Sequence, residues 1–194
     1  LSAKALIDSS EESIAFDSLK NEEMLAYLPL AWVGDHLISF AQGHVGGFTV
    51  NCPESTDTVM LDLKTVGPTA FLAPPAIFEN FLTQIQIRME DAGRIKKAMY
   101  DFFIKVAGKV GVAKLEGKNI NPWDNLLYIL GNVLVYGPLK NTLGFTRARV
   151  AYTGGAPLGE EVFQFYRSIG VNLKQLYGQT ESCAYCCMQK TGDV

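Results

Sequence analysis

The sequence is poor in cysteine and histidine and has no long apolar run. Four cysteines in 194 residues are too few for a disulfide scaffold, and Cys183, Cys186 and Cys187 crowd together. They read as free thiols in a reducing cytoplasm, buried on a strand. A zinc site normally needs four ligands. The single Cys-x-x-Cys supplies half of them, with Cys52, His36 and His44 far away in sequence, so a metal role for the cluster is left open. The two histidines read as structural side chains rather than general bases. The most apolar stretch, Leu126 to Leu139, is interrupted by Gly131, Asn132, Gly137 and Pro138. It falls short of the about 20 apolar residues of a membrane span and predicts a buried helix. No basic-apolar-small leader opens the chain. It starts at Leu1 and ends on Gly192-Asp193-Val194, which points to a piece of a longer protein.

Basic excess is also lacking. Twenty acids face 17 bases, a formal charge of −3, which argues against nucleic-acid binding along the whole chain. The charge is uneven. Residues 1–62 hold ten acids and two bases, whereas residues 94–118 hold seven bases and two acids. The basic stretch reads as a solvated helix face, with anionic lipid or a phosphorylated ligand as the alternative. No repeat or low-complexity tract is present. A 48% hydrophobic content excludes disorder and supplies a core.

Periodicity places the elements. Short apolar runs bounded by Pro or Gly predict strands at 24–28, 48–51, 69–73, 148–153 and 171–177. Apolar residues at three-four spacing predict helices at 35–46, 59–66, 123–135 and 159–169. A long helical region spans 77–110 with a break at Gly93, and the Gly-, Lys- and Asn-rich residues 111–122 read as a loop. Alternation of strand and helix implies an α/β fold with a largely parallel or mixed sheet. Arg147 and Arg149 alternate on one strand face and read as partners for salt bridges.

Two segments carry chemistry. Thr153-Gly154-Gly155-Ala156-Pro157-Leu158 follows one strand, and Tyr177-Gly178-Gln179-Thr180-Glu181-Ser182 follows another. Ligands in open α/β sheets bind beyond the carboxyl ends of strands. Paired glycines let backbone approach a ligand and present N–H groups. An aromatic ring stacks on a base, a threonine hydroxyl reaches a phosphate oxygen, and a glutamate holds Mg²⁺ alongside nucleotide phosphates. A plain strand-to-helix turn is the competing reading for either segment.

These two segments, in this order, resemble motifs of the AMP-forming acyl-CoA synthetases of the adenylate-forming superfamily. Leu28-Pro29-Leu30-Ala31 resembles an earlier segment of that family. The likeness covers nearly the whole chain and is nearest to long-chain fatty-acid–CoA ligases of bacterial type. The resemblance implies an αβα-layered fragment of the large N-terminal domain, spanning residues 1–194. It implies ATP, Mg²⁺ and coenzyme A as cofactor and co-substrates and a fatty acid as substrate. Tyr177 would stack on adenine, Thr180 would contact the α-phosphate, and Glu181 would bind Mg²⁺. Gly154, Gly155, Ala156 and Pro157 would line the nucleotide site, and Gly178 and Gln179 would floor it towards the acyl group. Trp32 occupies a place where many relatives have histidine and would shape the acyl pocket. The family's phosphate loop, ribose-binding aspartate, hinge and C-terminal lysine are not in these 194 residues, so the chain alone is expected to be inactive. Peripheral membrane contact and a homodimer are further expectations for the parent. An aryl-acid or amino-acid activating enzyme and a non-catalytic binding module are the alternatives.

Overall fold

The computed structural model describes residues 1–184 and 186–193. Strand β1 (Glu23–Leu25) pairs in parallel with β2 (Thr49–Asn51). Strands β3 (Ala70–Ala73), β4 (Val150–Thr153), β5 (Leu173–Tyr177) and β6 (Cys187–Met188) form a second sheet in that order. The first three are parallel and β6 is antiparallel to β5. The Thr69 N–H donates to Glu23 O at 2.8 Å, and the Glu23 N–H donates to Thr69 Oγ1 at 2.8 Å. These bonds seat the small ribbon against the edge of the larger sheet.

The sheet is buried on both faces because successive residues of β3 and β4 are mostly apolar. Phe71, Ala73, Ala151 and Leu173 pack into one core with Phe78, Phe103, Phe145, Tyr136 and Tyr166. These partners come mostly from α5 (Pro75–Glu90), α6 (Arg94–Leu115), α7 (Pro122–Gly131), α8 (Gly137–Leu143) and α9 (Glu160–Ser168). Aromatic rings dominate this core, with Phe78 edge-on to Tyr166 at 5.1 Å and Phe71 tilted against Phe145 at 5.5 Å. Each buried ring contributes about 1.5–3 kcal/mol from area alone. On the opposite face Ala70, Val150 and Tyr152 pack with Leu19, Met24 and Phe48, and with half-buried Ile14 and Ile38. That layer is α1 (Ala3–Asp17) and a helical run of α2 (Val33–Asp35), a π-helical segment His36–Ala41 and α3 (Gln42–Gly46). Helix α4 (Val59–Val66) completes the set and ends at Gly67 with φ 56°.

Several expectations hold. Helix α4 has the predicted limits, the long helical region breaks around Gly93, and the strands appear in the predicted order, each shorter than its apolar run. Arg147 pairs with Glu23 at 2.7 Å, and Arg149 pairs with buried Glu22.

Others need correction. The predicted loop 111–122 begins inside α6, which continues to Leu115. Gly111 belongs to the helix because a Cβ there would lie 1.9 Å from Ser168 O, so glycine lets α6 touch the end of α9. The helix predicted to stop at 135 runs on through a π-helical segment (Asn132–Tyr136) into α8. The wide turn, with the Gly137 N–H bonded to Asn132 O, accommodates Pro138 without a break. The Leu126–Leu139 stretch is buried on one side only. Leu126, Ile129, Leu130, Val133 and Leu134 are exposed along its outer face while Tyr128, Val135 and Tyr136 face the core. Helix α1 is an addition to the predicted elements, and the strand expected to carry the clustered thiols is β6, two residues long. Of the clustered thiols only Cys183 is buried, in a turn; Cys186 and Cys187 are exposed, and only Cys187 lies on a strand. No helix among the described residues is long and apolar enough to cross a membrane.

Candidate functional site

Because β3, β4 and β5 are parallel, Ala73, Thr153 and Tyr177 end at one edge of the sheet. The chain leaves β4 through Gly154-Gly155 and β5 through Gly178-Gln179, so the two singled-out segments meet there. Gly154 passes so close to β5 that a Cβ would lie 2.4 Å from Leu176 Cδ1. Gly155 has φ 89°, a conformation that side-chain-bearing residues rarely take. Gln175, unremarked in the sequence, fastens this loop. Its Nε2 donates to Ala156 O at 3.1 Å, and its Oε1 accepts from the Leu158 N–H at 3.4 Å. Its own N–H donates to Gln189 Oε1 at 2.7 Å. No local pattern singles it out; only the pairing of Thr153 with Gln175 across the sheet does.

The second segment turns sharply after β5. Thr180–Ser182 form one turn of 3-10 helix, and Ser182 Oγ accepts from the Gln179 N–H at 3.3 Å. Cys183 and Ala184 follow with φ 56° and 80°, turning the chain back into β6. The Cys186 thiol donates to Ser182 Oγ at 3.0 Å, and its N–H donates to Tyr177 O at 2.7 Å. Within the cluster, Cys186 therefore bonds to the turn itself. Tyr177 is 65% exposed, with its ring open to a ligand.

Two cavities meet at this edge. A cleft of about 620 Å³ lies beside the Tyr177 ring, lined by Gly155, Ala156, Pro157, Leu158, Gln175 and Gly178 among others. A second, of about 320 Å³, lies on the opposite face of the sheet. Its walls include Trp32, Leu37, Ile38, Tyr152 and Met188, and Gly154, Gln179 and Thr180 also border it. Leu176, Gly155 and Gly178 border both. The structure thus brings Trp32, Gly154, Gly155, Ala156, Pro157, Tyr177, Gly178, Gln179 and Thr180 to two adjoining spaces. Glu181 follows Thr180 on the exposed turn and lines neither.

The second cavity has a charged neighbour that the sequence did not reveal. Lys174 on β5 is 1% exposed and donates to Asp17 at the end of α1. The Tyr152 hydroxyl donates to the other Asp17 oxygen. His36 and His44 lie on the surface, with Nδ1 facing the Trp32 and Phe40 carbonyls at 3.4 and 2.7 Å. Among the described residues no group of three His, Cys, Asp or Glu comes together to hold a metal ion. A magnesium ion commonly takes one or two carboxylates and completes its shell with water and substrate phosphates. The single exposed carboxylate of Glu181, beside the mouth shared by both cavities, fits that mode.

Residues 2–194 match the family model described as AMP-binding enzyme. The chain belongs to this family. As an AMP-binding enzyme chain it is 27% identical over 164 residues to the long-chain-fatty-acid–CoA ligase ACSBG2 of Xenopus laevis. It is 26% identical over 166 residues to the Homo sapiens ACSBG2. These matches cover 83% and 84% of the chain but 22% and 24% of those proteins. Long chain acyl-CoA synthetase 8 of Arabidopsis thaliana is 29% identical over 175 residues, covering 85% of the chain and 24% of that protein. The fold matches o-succinylbenzoate CoA synthetase of Bacillus subtilis with a TM-score of 0.58 at 15% identity, over 96% of this chain and 28% of that one. It matches the N-terminal domain of FACL13 of Mycobacterium tuberculosis with a TM-score of 0.56 at 13% identity, over 96% of this chain and 34% of that one. The chain therefore spans about a quarter of the length of the curated relatives it matches.

Proposed function

We propose that this AMP-binding chain carries the nucleotide and acyl subsites of a ligase. The ligase joins a long-chain fatty acid to AMP at the expense of ATP and then passes the acyl group to coenzyme A. The observation that carries this reading is the pair of cavities meeting across Gly155, Leu176 and Gly178. One is floored by an exposed tyrosine and open backbone; the other is walled by aliphatic and aromatic side chains. The naming of the relatives as long-chain acyl ligases supports the substrate class. Among the described residues no charged side chain lines the apolar cavity, which speaks against an amino acid, whose ammonium needs a buried carboxylate partner.

In this reading the Tyr177 ring stacks on adenine, and Gly155, Ala156 and Pro157 form the facing wall. The acyl chain lies against Trp32, Leu37 and Ile38, so its carboxylate arrives at Gly178, Gln179 and Thr180, where the two spaces join. A carboxylate oxygen attacks the α-phosphorus, and the bond to pyrophosphate breaks. The thiol sulfur of coenzyme A then attacks the acyl carbon, AMP leaves with the bonding pair, and the thiol proton passes to solvent. Thr180 Oγ1 donates to an α-phosphate oxygen as charge builds there, and Gly178 and Gln179 hold the acyl carboxylate in line. Glu181 would hold Mg²⁺, which would neutralise phosphate charge there.

The test is fatty-acid-dependent pyrophosphate release by the complete gene product that contains this chain, with the Glu181→Ala variant beside it. The expected result is release with palmitate and its loss in the variant. Release with benzoate and none with palmitate would overturn the substrate class. Full activity of Glu181→Ala would overturn the metal role. The 194-residue chain alone is expected to release none.

A further inference from the structure

The apolar cavity carries one buried polar pair in its wall. At its mouth, Gln179 and Thr180 are exposed. Its wall also includes two buried polar side chains, Ser13 of α1 and Gln42 of α3, each only 5% exposed. Gln42 Nε2 donates to Ser13 Oγ at 2.6 Å, and Ser13 Oγ donates to Ser10 O at 3.0 Å. Behind them stands the buried face of α1, itself held at its last turn by the Asp17–Lys174 pair. The rest of the wall that bears on an acyl chain is apolar or aromatic: Trp32, Leu37, Ile38, Leu72, Leu176 and Met188.

We infer that the Gln42–Ser13 pair is the stop that sets the longest acyl chain this cavity accepts; the inference rests on the ligase reading above. Each methylene that leaves water for the apolar walls gains about fourfold in affinity. A chain long enough to reach Gln42 gains nothing further. Its last carbon meets a buried amide and hydroxyl already satisfied by each other. Pushing past them breaks that bond and leaves the buried Gln42 amide without its acceptor, while Ser13 keeps only its bond to Ser10 O; the penalty of about 5- to 150-fold outweighs the methylene. The two residues are positioning and specificity residues, remote from the reacting carboxylate.

The test is direct binding of straight-chain saturated acids, from hexanoate to stearate, to the 194-residue chain. Binding is read by the emission of Trp32 in a Trp123→Phe background; Trp123 is 73% exposed and on α7, away from the cavity. Affinity is expected to rise about fourfold per methylene to a break and then to fall or level. In Ser13→Ala/Gln42→Ala the break moves to longer acids while shorter acids keep their affinities. Gln42→Asn, which keeps the amide on a shorter arm, moves the break by about one carbon and serves if the double variant does not fold. AMP binding at the Tyr177 cleft is followed in parallel as a folding control. A profile without a break, or a break unmoved in every folded variant, overturns the stop while leaving the ligase reading intact. Failure of every acid to bind overturns the acyl cavity, and the stop with it.

Discussion

Replacing Asp17 by alanine should cost this chain a large part of its stability. Lys174 is 1% exposed, and Asp17 has a side chain only 8% exposed. The ammonium lies 5.4 Å from the Phe16 ring centre, a contact too weak to replace a carboxylate. Removing the carboxylate leaves a buried cation without its counter-charge and takes an acceptor from Tyr152. Breaking a buried pair from one side costs about 3–5 kcal/mol, against a total of about 5–15 kcal/mol for an ordinary domain. In urea, with a slope of about 2 kcal/mol/M, the midpoint should fall by roughly 2 M. The companion Asp17→Leu/Lys174→Met removes both charges and should lie within about 1 kcal/mol of the parent. Denaturation followed by far-ultraviolet circular dichroism measures both. A loss below about 1 kcal/mol in Asp17→Ala would refute the reasoning, since Lys174 would then have found solvent. A double variant as damaged as the single would refute it too, because packing rather than charge would be the cause.

Gly154→Ala should destabilise the chain by about 1–3 kcal/mol as its Cβ drives Leu176 from its place; a thermal melt unchanged within error would contradict the close approach. Alkaline pH should unfold the chain before it ionises its buried tyrosines. Burial pushes Tyr128 and Tyr136 up to about 12 and raises Tyr166 further. Their hydroxyls donate to Ser168 O at 2.9 Å, Phe103 O at 2.6 Å and Phe78 O at 2.8 Å. The folded values lie above the unfolded value near 10, so this stability is whole below pH 10. It falls by about 1.4 kcal/mol per pH unit for each tyrosine as pH rises from there towards 12. Ionisation of Tyr128, Tyr136 or Tyr166, read as tyrosinate absorbance lost in the corresponding Tyr→Phe variant, before circular dichroism is lost would contradict the burial.

What could be read from the sequence was whatever lay contiguous in it. Strands β3 and β4 announce themselves because both faces are buried and their residues form nearly continuous apolar runs, and β5 by apolar residues between Gly170 and Gly178. The motif residues were legible for a related reason: Gly154 to Leu158 and Tyr177 to Glu181 each follow a strand directly, and parallel pairing brings the strand ends together. Helix α1 escaped notice because its buried residues include Ser10 and Ser13, which carry no hydrophobic signal. Gly111 and Gly137-Pro138 looked like stops. In the structure, one is a contact point between helices and the other is absorbed by a π-helical turn. The partners Asp17–Lys174, Ser13–Gln42 and Gln175–Ala156 were beyond reach because each joins residues that only the folded sheet brings together.

The central claim is that the space beside Tyr177 binds the adenylate. Isothermal titration of AMP into the 194-residue chain tests it most directly, with Tyr177→Ala as the comparison. Stacking of a base on an aromatic ring is worth about 1–3 kcal/mol. The account therefore predicts measurable binding by the chain and a loss of about 5- to 150-fold in the variant, with circular dichroism unchanged. Absence of binding by the parent chain, or equal affinity in Tyr177→Ala, would contradict it.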